Sequence, residues 1–184
     1  MNITYFVHGS TQDNAEGKYT GWSDVVLSGL GEEQSKTLAG SVDKIAFYGI
    51  YCSDLIRAKQ SARLMFPSGG ALGKKVHSDS RLRECNLGSY DRQPTAIVNP
   101  LMQEHITVPF PGGESFSDVQ RRMQSFLEMV ETRHGDYPIA IVAHRAPQLA
   151  LDVILKRMSW EEAIENDWRR KLPKEWKAGW KYSG

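Results

Sequence analysis

Short continuously apolar stretches alternate along this chain with longer stretches whose apolar residues recur at helical spacing. Ile3–Val7, Gly49–Cys52, Lys75–Ser78 and Ile139–Ala143 predict strands. The first, second and fourth lack clean in–out alternation, as strands do when a parallel sheet buries both their faces. Helices are predicted in between. One runs from a Ser28 cap to Val42. A second follows a Ser53 cap over Asp54–Met65 and opens on an acidic residue, as the helix dipole prefers. A third runs from a Ser115 cap over Phe116 to Arg133, with Val119, Met123, Phe126, Leu127 and Val130 on one face. A fourth covers Gln148–Met158, with Pro147 where a first helical turn tolerates proline. Pro94–Pro111 and Pro173–Gly184 carry no regular pattern. Strands alternating with helices predict an α/β fold, a three-layer α/β/α sandwich with a mainly parallel central sheet and right-handed crossovers.

Composition narrows the classes. The chain has 184 residues and no linker-like segment, so one domain over 1–184 is expected. A net charge of +1 gives no pull toward a polyanionic partner. No apolar run approaches the roughly 20 residues of a membrane span, and MNITYFVHGS lacks a basic leader. Cys52 and Cys85 form no CxxC pair, which fits a reduced, cytoplasmic setting. His77, His105 and His134 have no ligand-spaced partners, so neither a metal nor another cofactor is expected. From Asp167 to Gly184 there are six Lys or Arg against two Asp or Glu. Trp168, Trp176 and Trp180 in that segment are expected to pack the tail over the domain rather than to stack on nucleic acid.

Ligands of open α/β sheets bind beyond the carboxyl ends of the strands. His8-Gly9-Ser10-Thr11 follows the first predicted strand. Ser53 and then Arg57 follow the second, Arg81-Leu82-Arg83-Glu84 the third, and His144-Arg145 the fourth. Two histidines, a carboxylate and several arginines thus converge on one edge. That set suits phosphoryl transfer. A neutral imidazole can attack phosphorus. Arginines hold the equatorial oxygens through charge-assisted bonds. A carboxylic acid can protonate the leaving oxygen and then accept a proton from water. Taken singly, each residue has a plainer reading: a structural histidine, a surface arginine, a solvated glutamate. The argument rests on their joint placement.

The motifs resemble those of the histidine phosphatase superfamily. YFVHGSTQDN followed by TGWSDVVLSGLG places His8, Asn14, Thr20, Gly21, Trp22 and Asp24 at that family's spacing. SDLIRAKQSA is similar to its phosphate-binding segment, LRECNLG to its general-acid segment, and PGGES to its phosphatase branches, while IVAHR carries its second histidine. The resemblance implies His8 as the phosphorylated nucleophile, Arg57 and His144 as phosphoryl-binding groups, and Glu84 as general acid and base. It implies Asn14, Thr20 and Gly21 at the mouth of a site for a small phosphorylated substrate. Two positions depart from the pattern. The arginine usual before the nucleophile is Val7, and Arg145 follows the second histidine in place of a small residue. Either Arg145 delivers a guanidinium to the phosphate pocket or it pairs with a nearby carboxylate. A metabolite phosphomonoesterase is the leading expectation, because only a loop-scale stretch separates Glu84 from Ser115 whereas mutases of the family carry a long insertion. Mutase-type phosphoryl transfer and a weakened phosphate-binding protein are the alternatives.

Overall fold

A computed structural model describes residues 1–42, 44–167, 169 and 179–183. Five strands form one sheet: β1 (Asn2–Val7), β2 (Gly49–Ser53), β3 (Val76–Asp79), β4 (Pro138–Ala143) and β5 (Trp180–Ser183), in the order β3-β2-β4-β1-β5. The first four are mutually parallel, and β5 runs antiparallel along the outer edge of β1. This is the mainly parallel α/β sheet expected from the sequence.

The two faces explain why strand alternation was invisible. Ile3, Tyr5, Tyr51, Ile139 and Ile141 pack on one side against α5 (Phe116–His134) and α6 (Arg145–Lys156). Phe6, Ile50, Cys52, Ala140 and Val142 pack on the other, against α2 (Gly29–Val42) and α3 (Ile56–Met65). Every position of β2 is buried. Each large apolar side chain so buried contributes about 1.5–3 kcal/mol.

Local chemistry sets the helix starts. Ser28 Oγ accepts from Gly31 N at the head of α2. Ser115 and Asp118 form a reciprocal capping box at the head of α5. Ser53, by contrast, does not cap a helix over Asp54–Met65: it is the last residue of β2, and α3 begins only at Ile56. Both Asp54 oxygens are held by the Arg83 fork at 2.8 and 2.7 Å. The free Ile56 N–H is capped instead by Asp24 Oδ1, at 2.7 Å and 32 residues away in sequence. Likewise α6 starts at Arg145, earlier than its expected start at Gln148, because a distant carboxylate takes its first N–H groups.

The segment expected to be irregular around Pro94–Pro111 contains one short helix, α4 (Thr95–Val98), and isolated helical turns. The C-terminal segment departs more. Trp180–Ser183 is a strand, with Trp180 and Tyr182 facing inward and Lys181 and Ser183 outward. Four alternating residues are enough for an edge strand but too few to stand out in sequence. Trp180 does pack back as expected, edge-on to Tyr5 at 6.3 Å; Trp168 and Trp176 lie outside the described residues. Among the described residues no helix is long and apolar enough to cross a membrane.

Candidate active site

Val7 pairs with Ala143 across β1 and β4. The next residue on each strand is a histidine, so register alone brings His8 and His144 side by side, with ring centroids 5.0 Å apart. His8 leaves the sheet with its N–H still on Ala143 O at 3.0 Å. Gly9 then passes so close to α2 that a Cβ there would lie 2.2 Å from Gly31 O. Only glycine fits, and the close pass fixes where the His8 loop turns.

The His8 ring is oriented on both sides. Nδ1 lies 2.7 Å from Gly9 O, a partner that can only accept, so this nitrogen carries the proton. Nε2 therefore holds the lone pair, and Arg57 Nε donates to it at 3.3 Å. Burial and the Arg57 charge push the His8 pKa down to about 3, with Arg169 adding to the effect. The imidazole is thus neutral and nucleophilic across the physiological range.

Arg57 is almost wholly buried in the first turn of α3. Its Nη1 donates to Ser23 O at 2.9 Å and its Nη2 to Gly21 O at 2.7 Å. Those carbonyls aim the guanidinium at His8. Gly21 itself adopts φ +53°, and a Cβ there would meet Asp91 Oδ1 at 1.8 Å. Asp91 in turn accepts from Trp22 N and Leu87 N, tying this loop to the segment after Glu84.

His144 is fully buried, and neither ring nitrogen has a partner among the described residues. Burial first, then Arg57 and His8, hold its pKa well below the ordinary histidine value. Its backbone is pinned by the Tyr5 hydroxyl, which donates to His144 O at 2.7 Å and accepts from His144 N at 3.0 Å. Thr20 Oγ1 is likewise buried and without a partner among the described residues. Unpaired buried polar atoms are costly, and such groups gather where a ligand binds.

Glu84 docks on the head of α6. Its Oε1 accepts from Cys85 N and Ala146 N at 2.8 and 2.9 Å, and its Oε2 from Arg145 N at 3.0 Å. The peptide carbonyl of Glu84 accepts from Trp22 Nε1 and Arg122 Nη2. Arg122 also reaches the carbonyls of Arg81 and Arg83 and the carboxylate of Glu114. One guanidinium thus clamps the whole segment 81–84 that presents Glu84. Beside it lies a cavity of about 20 Å³, walled by Tyr19, Glu84, Met102, Phe116 and Arg145.

The remaining expected residues fall differently. Asn14 is exposed, and its side chain closes a capping box with Thr11 at the start of α1 (Gln12–Ala15). Gly21 serves through its carbonyl and its turn. Arg145 is turned to Asp167, to the Tyr19 hydroxyl and to Met102 Sδ, which is the carboxylate pairing left open by the sequence. Sequence reasoning gave no role to Tyr5, Arg122 and Glu114, which act through other groups, and did not foresee that Asp24, picked out by its spacing, caps α3. The only signal for Glu114 was its place in the PGGES run. Among the described residues no three His, Cys, Asp or Glu side chains gather as a metal cluster.

Comparison with known proteins gives the family. The model of the histidine phosphatase superfamily, branch 1, matches residues 5–174. The chain belongs to that superfamily. With the family comes the enzyme class, a histidine phosphatase. A Yersinia enterocolitica protein named probable phosphoglycerate mutase GpmB is 32% identical over 146 residues, covering 74% of this chain and 66% of that protein. This histidine phosphatase thus spans about two thirds of that relative's length. A mycobacterial glucosyl-3-phosphoglycerate phosphatase, solved as a complex with VO3, superposes with a TM-score of 0.78 at 26% identity, over 89% of this chain and 86% of that one. The alpha-ribazole phosphatase of Shigella flexneri does so with a TM-score of 0.77 at 25% identity, over 90% and 84%.

Proposed function

We propose that this histidine phosphatase hydrolyses a phosphomonoester of a small metabolite through a phosphohistidine at His8. The observation that carries the reading is the oriented pair of imidazoles. His8 presents a lone pair at Nε2 under the Arg57 guanidinium, and beside it His144 keeps both ring nitrogens buried and unpaired among the described residues. In the first step Nε2 attacks phosphorus and the ester P–O bond breaks. The leaving oxygen takes the proton of the Glu84 carboxylic acid. In the second step water attacks phosphorus, gives its proton to the Glu84 carboxylate, and the P–N bond breaks to release inorganic phosphate. Charge developing on the equatorial oxygens falls to Arg57 and to a His144 N–H. Because Glu84 is engaged by three backbone donors, the acid step requires one of them to yield to the leaving group. No step calls on a metal ion.

Arg145 and Tyr19 lie on the Glu84 side, where the leaving group must be, so they are assigned to substrate contact together with Thr20. The similar proteins are named for phosphoglycerate, glucosyl-phosphoglycerate and ribazole chemistry, which supports a small hydroxylated metabolite as substrate. The mutase name of the Yersinia relative keeps mutase-type transfer as a second reading. Against it stands the short Glu84–Ser115 connection.

The test is hydrolysis of p-nitrophenyl phosphate under excess chelator, comparing wild type with His8→Ala, together with trapping of a base-stable, acid-labile phosphoenzyme. Turnover and trapping in wild type alone are expected. Equal turnover by both proteins would sink the mechanism.

A further inference from the structure

A phosphoryl group brings two negative charges to a site where, among the described residues, the Arg57 guanidinium bonds to His8, and where the residue before His8 is an uncharged valine. Arg145 does not make up the difference in the observed arrangement, since its guanidinium faces Asp167 and Tyr19. The C-terminal segment offers another cation. We propose that Arg169 supplies the second guanidinium for the phosphoryl group bound at His8. The inference rests on the phosphohistidine reading above and names a further residue for it.

Three placements support it. Asp167 is almost fully buried and divides its carboxylate between two arginines: Oδ2 accepts from Arg145 Nε, and Oδ1 from Arg169 Nη1 at 2.9 Å. Arg169 Nη1 also donates to Gln148 Oε1 at 3.2 Å, and Gln148 lies one turn along α6 from His144, bonded through its N–H to His144 O. The Arg169 guanidinium is therefore held over the first turn of the helix that carries the second histidine. Its Cζ lies 5.4 Å from the Trp180 ring. Trp180 pairs with Tyr5 in the β1–β5 register and packs on its ring. Tyr5 and Val7 share one face of β1, both in the core on the α6 side. A guanidinium over Trp180 thus stands on the face from which a longer side chain at position 7 would project, reached from the end of the chain instead of from β1. The Arg169 charge is felt at His8, where it helps to lower the pKa, and at Tyr5.

The test combines turnover with anion binding. Wild type, Arg169→Met, Val7→Arg/Arg169→Met, Arg145→Met and His8→Ala are compared for p-nitrophenyl phosphate hydrolysis under chelator and for orthovanadate affinity by calorimetry. Arg169→Met is expected to lower kcat/KM by roughly a hundred- to a thousandfold, as loss of a preorganised donor does, and to weaken vanadate binding. Returning an arginine at position 7 is expected to recover at least a tenth of the loss in both. A merely structural tail contact would not be rescued from β1. Should Arg169→Met not fold, Arg169→Gln, which keeps a donor for Asp167, is judged by the same criteria. Unchanged vanadate affinity in the Arg169 variant overturns the inference, and so does a loss that position 7 cannot rescue. If His8→Ala turns over like wild type, the phosphohistidine reading falls instead, and the vanadate arm still decides whether Arg169 binds the anion.

Discussion

Arg57→Lys separates charge from geometry at the center of the site. The substitution keeps one positive charge on a stem of similar length. It removes the fork that reaches His8 Nε2, Ser23 O and Gly21 O together. A lysine Nζ reaching one carbonyl no longer steers a donor to the phosphoryl oxygens, and loss of one preorganised donor costs about 2.7–4 kcal/mol of transition-state stabilisation, or roughly a hundred- to a thousandfold in kcat. At least one buried carbonyl also loses its partner, which costs about 1–3 kcal/mol of fold stability. For a chain of this size that lowers Tm by about 2–4 °C per kcal/mol. Steady-state hydrolysis of p-nitrophenyl phosphate and thermal unfolding followed by circular dichroism read the two effects separately. A variant within tenfold of wild-type kcat would refute the claim that the oriented fork, and not its charge, is what Arg57 contributes.

Two further outcomes follow from the same geometry. Gly21→Ala places a Cβ against Asp91 in a left-handed turn, so it is expected to lose about 1–3 kcal/mol in urea unfolding. Its kcat should fall too, since Gly21 O aims Arg57; an unchanged urea midpoint would contradict this. The third outcome concerns acid. The His8 pKa falls from an ordinary 6.5 to about 3 on folding, so the unfolded chain binds the proton first as pH drops. That contribution to stability is complete above pH 6.5 and is lost as pH falls toward 3. His8→Asn should therefore reduce proton uptake on unfolding between pH 6 and 4 by about one, measured as the pH dependence of the unfolding free energy. An unaltered slope would argue that His8 is not held neutral by the fold.

What the sequence disclosed and what it hid divide along one physical line. The strands β1, β2 and β4 and the long α5 were legible because continuous apolar runs and a 3.6-residue period are local signals, whereas β3, with no buried position, left only a weak one. That His8, Arg57, Glu84 and His144 gather at one sheet edge was legible because each sits a few residues beyond a strand, and strand register then brings the histidines together. Hidden were the features made by partners distant in sequence. Asp24 starts α3 and the Glu84 carboxylate starts α6, so both boundaries were misplaced by reading the nearest serine or proline as the start signal. Asn14 has the right spacing for the mouth, but its side chain closes a local capping box. Arg145 and Arg169 share one buried carboxylate, an arrangement that no spacing rule encodes.

The position of β1 bears on how the molecule comes to exist. It leaves the ribosome before β2 and β3, yet both of its neighbours, β4 and β5, follow more than 130 residues later. Contacts of such long sequence separation form late, after a large loop-closure cost has been met. During synthesis the strand that leads into His8 waits as an unpaired apolar edge, the kind of surface that aggregates or recruits a chaperone. Competence therefore waits for β4, and a nascent chain interrupted before it has His8 but not the place to use it.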